Sequence, residues 1–281
     1  MPVLSIVGTK GGVGKSTIAM GTAIWLSKLQ DELVLLVDGD IHVRTIELKM
    51  CPKTDITLAQ VLEGKHELVD AIYRCQLTAK DKWLYPKLSI LPAGKRFMPL
   101  GGRDIFKYLT TTINRFEKMM ETLREYFPYI IVDTPPSVTF EHFILTSIAD
   151  GLIFVTTPDV VSIFSSKETA AGLKEMLGID TVGTILNKVP LYFTQAEEEN
   201  WENYSATIAP LLGKIYKEDL VEFAFKRNLP VVTAYPNSMA SNSLKKIAKR
   251  VAKLQLPRTR VSSKFKRALA LALAKKKIRR R

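Results

Sequence analysis

Residues 8–17 read GTKGGVGKST, with two lysines five positions apart among the glycines. Gly14, Lys15 and Ser16 supply the G-K-[ST] end of the pattern G-x-x-x-x-G-K-[ST]; Gly8 stands one position before the place of its first glycine, with five residues between it and Gly14. Such a loop needs a strand before it and a helix after it. The backbone N–H groups of Gly11, Gly12, Val13 and Gly14, and those of Lys15, Ser16 and Thr17 at the helix start, then face an anion favoured by the helix dipole. Side chains larger than glycine would block the close approach. Lys15 has the reach for the β- and γ-phosphates of a nucleotide, and the Ser16 hydroxyl can ligate Mg²⁺. The minimal pattern has no use for Lys10.

Mg²⁺ prefers octahedral oxygen coordination and keeps several waters, so a nucleotide hydrolase needs a carboxylate at a neighbouring strand end. YIIVDTPPS supplies Asp133 after an apolar run, the Walker B placement, where it would hold the metal through water. LLVDGD supplies Asp38 and Asp40. An aspartate is too acidic to be a strong general base, but it can orient the attacking water for in-line transfer. Asp40 is assigned that role, with Asp38 nearer the metal's water shell. A guanine-reading N-K-x-D is absent, since LNKVP continues with valine and proline. Asn187 in that stretch is a candidate base-edge contact through its amide, a core or turn asparagine being the competing reading.

These side chains require a particular scaffold. Apolar, β-branched runs at 3–8, 33–38, 88–93, 129–134, 151–157, 181–188 and 213–216 read as strands. Helical patterns lie at 15–29, 103–126, 139–149, 162–177, 195–212 and 238–254. Continuous apolar strands separated by helices predict an α/β domain with a mostly parallel sheet covered on both faces. Asp38, Asp133 and Asn187 would then share the sheet edge where open α/β folds bind ligands.

The 281 residues divide as one domain at 1–254, a linker at 255–263 and a basic tail at 264–281. No apolar run approaches the ~18 residues of a membrane span, and the first ten residues lack the features of a signal peptide. Two cysteines without a CxxC argue against a disulfide framework or a zinc site, and point to reduced thiols in the cytoplasm. The formal charge is +13, yet residues 245–281 hold sixteen Lys and Arg and no acid, which leaves residues 1–244 with 25 basic and 28 acidic side chains, or −3. The basicity therefore speaks to a partner of the C-terminal segment and not to the fold.

KGGVGKST (10–17) resembles the deviant Walker A loop of the MinD/ParA family of P-loop ATPases. VDGD (37–40), LSILPAG (88–94), IIVDTPP (130–136), TPDVVSIFSSKETAAGLK (157–174), ILNKV (185–189) and NLPVVTAYPNSMASNSLKKIA (228–248) follow in matching order, closest to the MinD branch. The resemblance covers about residues 1–255. It implies an ATP- and Mg²⁺-dependent ATPase that forms a nucleotide-sandwich homodimer, in which Lys10 reaches the phosphates of the opposite subunit. It also implies that residues 38–45 and 134–137 act as switches, that a protein partner activates hydrolysis, and that residues 217–230, including Asp219, form the adenine-side loop. Thr45, where the MinD branch often has asparagine, and His42 and Arg44 depart from the family pattern.

In the tail, Phe265, Leu269, Ala272 and Leu273 line one side of a helix, and LALALA is bracketed by KFKR and KKKIRRR. That pattern suits a peripheral helix on an anionic membrane, which would make the association reversible. The alternative is non-specific DNA binding through the eleven basic residues between 258 and 281, as in the ParA branch, although the amphipathic pattern favours the membrane.

Overall fold

The computed structural model describes residues 2–40, 43–51, 53–79, 82–94, 105–136 and 140–257. His42, the linker beyond residue 257 and the tail at 264–281 lie outside them. The chain runs β1 (Val3–Val7), α1 (Lys15–Leu29), β2 (Val34–Asp38), α2 (Thr45–Met50), α3 (Leu58–Leu62), β3 (Tyr73–Arg74), β4 (Thr78–Ala79), β5 (Lys82–Trp83) and β6 (Leu88–Leu91). It continues through α4 (Ile105–Tyr126), β7 (Tyr129–Asp133), α5 (Phe140–Ser147), β8 (Gly151–Thr156), α6 (Val160–Leu177), β9 (Thr181–Val189) and α7 (Gln195–Ala206). The domain closes with β10 (Leu211–Tyr216), α8 (Asp219–Lys226), α9 (Val231–Ala234) and α10 (Met239–Val251).

Eight strands form one sheet in the order β10-β9-β8-β1-β7-β2-β6-β3. Every neighbouring pair is parallel except β3–β6 at the edge. Alternation sorts each strand's side chains between two cores. Leu4, Ile6, Val34, Leu36, Ile153 and Val155 face α1 and α10, with Ile18, Met20, Leu244 and Ile247. Val3, Val7, Leu35, Val37, Leu152 and Phe154 face α4, α5 and α6, with Phe116, Leu123, Leu145 and Leu173. Burial on both sides explains why the strands read as unbroken apolar runs.

The seven expected strands and six expected helices are all present, with two boundary corrections. The helix expected over 195–212 stops at Ala206 and β10 starts at Leu211, because Pro210 cannot continue a helix and biases the residue before it towards extended backbone. The segment at 217–230, expected as a loop, contains α8, where Val221, Ala224 and Phe225 have helical spacing.

The parallel register aligns the strand ends. Asp38 and Asp133 are Cα partners across β2 and β7, and β1 beside β7 leads directly into the glycine loop. Asn187 lies in β9, two strands from β1 on the other side. At the far end of the strands, Asp150 accepts from Val3 N at 2.8 Å and pairs with Arg124 of α4 at 2.8 Å. Arg124 also donates to Ile148 O at 3.1 Å. This buried cluster ties β1, α4 and the α5–β8 turn together, opposite the ligand edge.

Candidate functional site: a phosphate cleft at the strand ends

Helix α1 starts without a side-chain cap. Its N-cap is Gly14, at φ 103°, a conformation that L side chains rarely adopt. A Cβ there would also lie 2.2 Å from Asn187 Nδ2. Among the described residues no side chain caps the helix start, which is the arrangement an anion requires. A cleft of about 560 Å³ opens over it. Gly11, Gly12, Gly14, Lys15, Ser16 and Thr17 line its phosphate end. Asp40, Asn187, and Asp219 and Phe225 of α8 line it as well.

Asp133 is completely buried, and among the described residues its carboxylate oxygens make no hydrogen bond of ordinary geometry, the Ser16 hydroxyl being the polar neighbour. Burial pushes its pKa up to about 8 and the charge of Asp38 adds to the shift, while the nearby Ser16 hydroxyl and Lys15 ammonium offset only part of it. A buried carboxylate with so little hydrogen bonding is costly, and a divalent cation beside Ser16 would remove that cost. Lys15 is 7% exposed. Burial lowers its pKa, and the charges of Asp133 and Asp40 work against the lowering.

Asp38 faces the following loop. Its Oδ1 accepts from Asp40 N at 3.1 Å and its Oδ2 from Glu47 N at 3.2 Å. Burial raises its pKa to about 7, and those two N–H bonds oppose the rise. It thus holds the loop that carries Asp40, beside Asp133 on the neighbouring strand. Gly39 between them is required by close approach: a Cβ would lie 2.3 Å from the Asp133 carbonyl oxygen. Asp40 accepts from Val43 N at 3.2 Å. Asn187, expected at the base edge, lines the cleft and donates Nδ2 to Val13 O at 2.7 Å, bracing the loop from below.

The two lysines separate cleanly. Lys10 is absent from the cleft lining, and its Nζ lies 2.8 Å from Asp159 Oδ1, with both side chains about two-fifths exposed (41% and 42%). Asp159 is the N-cap of α6, accepting from Ser162 N at 2.7 Å and from Thr157 Oγ1 at 2.6 Å. Thr9 and Ser165 share a hydrogen bond of 2.8 Å beside it. Sequence reasoning missed Asp159 as a site residue, although D-x-x-S at a helix start is a legible cap. It also missed His142, buried on α5, whose pKa is pushed down to about 4 by burial and by Lys15, so that its ring is neutral near the phosphate end.

A family model described as an AAA domain matches residues 1–177. The septum site-determining protein MinD of Bacillus subtilis is 26% identical over 255 residues, spanning 88% of this chain and 87% of its own. The chain belongs to the MinD/ParA family of P-loop ATPases. An ATP-binding protein of Methanocaldococcus jannaschii is 29% identical over 246 residues, 87% of this chain and 85% of that one. The MinD structure of Pyrococcus horikoshii with Mg-ADP superimposes with a TM-score of 0.73 at 24% identity, covering 90% and 96% of the two chains, and shares the fold.

Among the described residues no group of three His, Cys, Asp or Glu side chains could hold a metal by itself. Mg²⁺ is generally bound by one or two protein groups together with substrate phosphates and water. The residues fit the group: Ser16 and Asp133 would hold the ion, and the open start of α1 would hold the phosphates. Bound there, Mg²⁺ neutralises charge on the phosphate oxygens. Lys15 lies within the cleft and Asp40 lines it, both close enough to Asp133 for their charges to act on one another.

Proposed function

We propose that this protein is a MinD-like switch that binds Mg·ATP, closes into a nucleotide-sandwich homodimer and hydrolyses ATP slowly. Lys10 carries this reading: the glycine loop has one lysine buried in its own cleft and a second held outside it at the surface. An exposed ion pair such as Lys10–Asp159 contributes only about 0–1 kcal/mol, so Lys10 leaves it readily for the phosphates of a second subunit. There it offsets the repulsion between two anionic faces and stabilises transition-state charge, as an arginine finger does.

In this reading Asp40 orients the attacking water, Asp219 and Asn187 belong to the nucleotide cleft, and a protein partner accelerates turnover. The MinD of Aquifex aeolicus has been solved with MinC, which makes a protein partner a reasonable expectation here. The protein is cytoplasmic and joins an anionic membrane reversibly through residues 264–281 in its ATP state, acting as a spatial-positioning switch. The eleven basic residues of 258–281 also favour a second reading, a DNA-partitioning ATPase that binds DNA through the same tail.

Lys10→Ala and Asp40→Ala test the switch. Lys10→Ala should stay folded but lose both ATP-dependent dimerisation and turnover, while Asp40→Ala should accumulate an ATP-bound dimer with turnover reduced at least ~100-fold. Wild-type dimerisation and rates in both variants, by light scattering and phosphate release, would refute it.

A further inference from the structure

Helix α2 is only six residues long, yet its two ends are tied to two different parts of the cleft's lining, the loop of Asp40 and α8. At its N-terminal end, Asp38 Oδ2 accepts from Glu47 N, and Arg44 N donates to Asp40 O at 3.0 Å. At its C-terminal end, Lys49 Nζ donates to Phe225 O at 3.0 Å and to Asn228 Oδ1 at 3.4 Å. Asn228 returns a bond from Nδ2 to Leu48 O at 3.1 Å. The Lys49 ammonium also sits 3.9 Å from the centre of the Phe225 ring. Phe225 and Asp219 place α8 in the lining of the cleft.

Lys49 is 5% exposed, and no carboxylate among the described residues pairs with it. Burial lowers its pKa. A methionine could fill the same channel without burying a charge, so packing alone does not account for a lysine here. A charge held by one carbonyl, one amide and one ring fixes a specific geometry between α2 and the end of α8. Asn228 contributes to the same geometry at a backbone cost, since its φ of 58° lies in the left-handed region.

We infer that α2 is a lever joining the phosphate-side carboxylate loop to the α8 wall, with Lys49 and Asn228 as the positioning residues at its far end. Ile46 and Met50 bury α2 in the core, so the helix moves as a body and does not stretch. A change at Asp38 and Asp40 when the phosphate end of the cleft is filled therefore shifts Lys49, and with it the carbonyl end of α8. This inference rests on the nucleotide reading proposed above.

The test uses the full chain with Lys49→Met and, separately, Asn228→Gly, which keeps the left-handed backbone and removes both side-chain bonds. Amide hydrogen exchange is followed with a non-hydrolysable ATP analogue and with ADP. In the wild type, exchange across 219–226 should differ between the two nucleotides. In each variant that difference should vanish while protection of residues 11–17 persists. A double-mutant cycle of Asp40→Ala with Lys49→Met, read as the ratio of analogue to ADP affinity, should deviate from additivity by roughly two- to thirtyfold. Identical α8 exchange with both nucleotides in the wild type, or an undiminished difference in Asn228→Gly, would overturn the lever alone. Failure of either nucleotide to protect residues 11–17 would overturn the nucleotide reading and the lever with it.

Discussion

At the residue scale, Asp133 concentrates the chemistry of the site. Its neutral form is favoured in the metal-free fold because burial disfavours the charge. Asp38 behaves likewise, also chiefly through burial. Both folded pKa values are raised above the ordinary 3.8. The stabilisation linked to them is therefore fully present below pH 3.8 and is lost as pH climbs through about 7 for Asp38 and about 8 for Asp133. Metal-free protein should lose thermal stability over that window. Asp133→Asn should flatten the loss and raise the melting temperature at alkaline pH by about a few degrees. A metal ligand must be deprotonated, so Mg²⁺-dependent nucleotide binding should release protons near neutral pH, and Asp133→Asn should abolish that release. Calorimetry in buffers of different ionisation enthalpy measures it. An unchanged pH slope and unchanged proton release in the variant would remove Asp133 from the metal site.

At the element scale, the cluster opposite the site divides stability from function. Asp150→Ala leaves the Arg124 guanidinium buried without its carboxylate and takes the side-chain acceptor from Val3 N. Losing one member of a buried pair should cost about 3–5 kcal/mol. Nucleotide affinity, measured well below the melting temperature, should stay unchanged, because the cluster lies at the other end of the strands. A loss of affinity as large as the loss of stability would mean that the two ends of the sheet are not independent. The same contrast of scale explains what the sequence made legible. Strands such as Val34–Asp38 and long helices such as Ile105–Tyr126 carry strong periodicity, and the glycine loop has fixed spacing, so the sheet and the phosphate end could be read directly. Helix α2 is too short for a period to register. The Lys10–Asp159 pair joins residues 149 apart, and the Lys49–Phe225 bond joins residues 176 apart. Such partners come together only through the sheet order. Asn187 was legible as a polar residue of a strand end, but its bond to Val13 depends on β9 lying beside the loop. Asp38 was legible as a strand-end acid, but its orientation is set by α2.

At the scale of the whole molecule, charge separates into two regions. Residues 1–244 are net −3 and residues 245–281 carry sixteen positive charges. Among the described residues no helix is long and apolar enough to cross a membrane, and the membrane contact proposed for residues 264–281 is a peripheral one. Each Lys or Arg near an anionic surface adds about 1 kcal/mol, and two tails in one dimer add avidity that a monomer lacks. Co-sedimentation should therefore be strongest with Mg·ATP, with vesicles containing phosphatidylglycerol and at low salt, and weak with pure phosphatidylcholine. Replacing Leu269 and Leu273 by aspartate leaves every basic residue in place but destroys the apolar stripe. If the tail works as an amphipathic helix, this double variant should lose vesicle binding about tenfold or more while changing duplex DNA binding little. If the tail serves DNA, the ranking reverses: the same variant should retain most DNA affinity with its steep salt dependence, and the wild type should prefer duplex DNA to vesicles under identical conditions. Lys10→Ala provides the link back to the loop, because a variant unable to form the ATP dimer should bind vesicles in ATP no better than in ADP. Equal, ATP-enhanced vesicle binding by wild type and Lys10→Ala would separate the tail from the nucleotide switch.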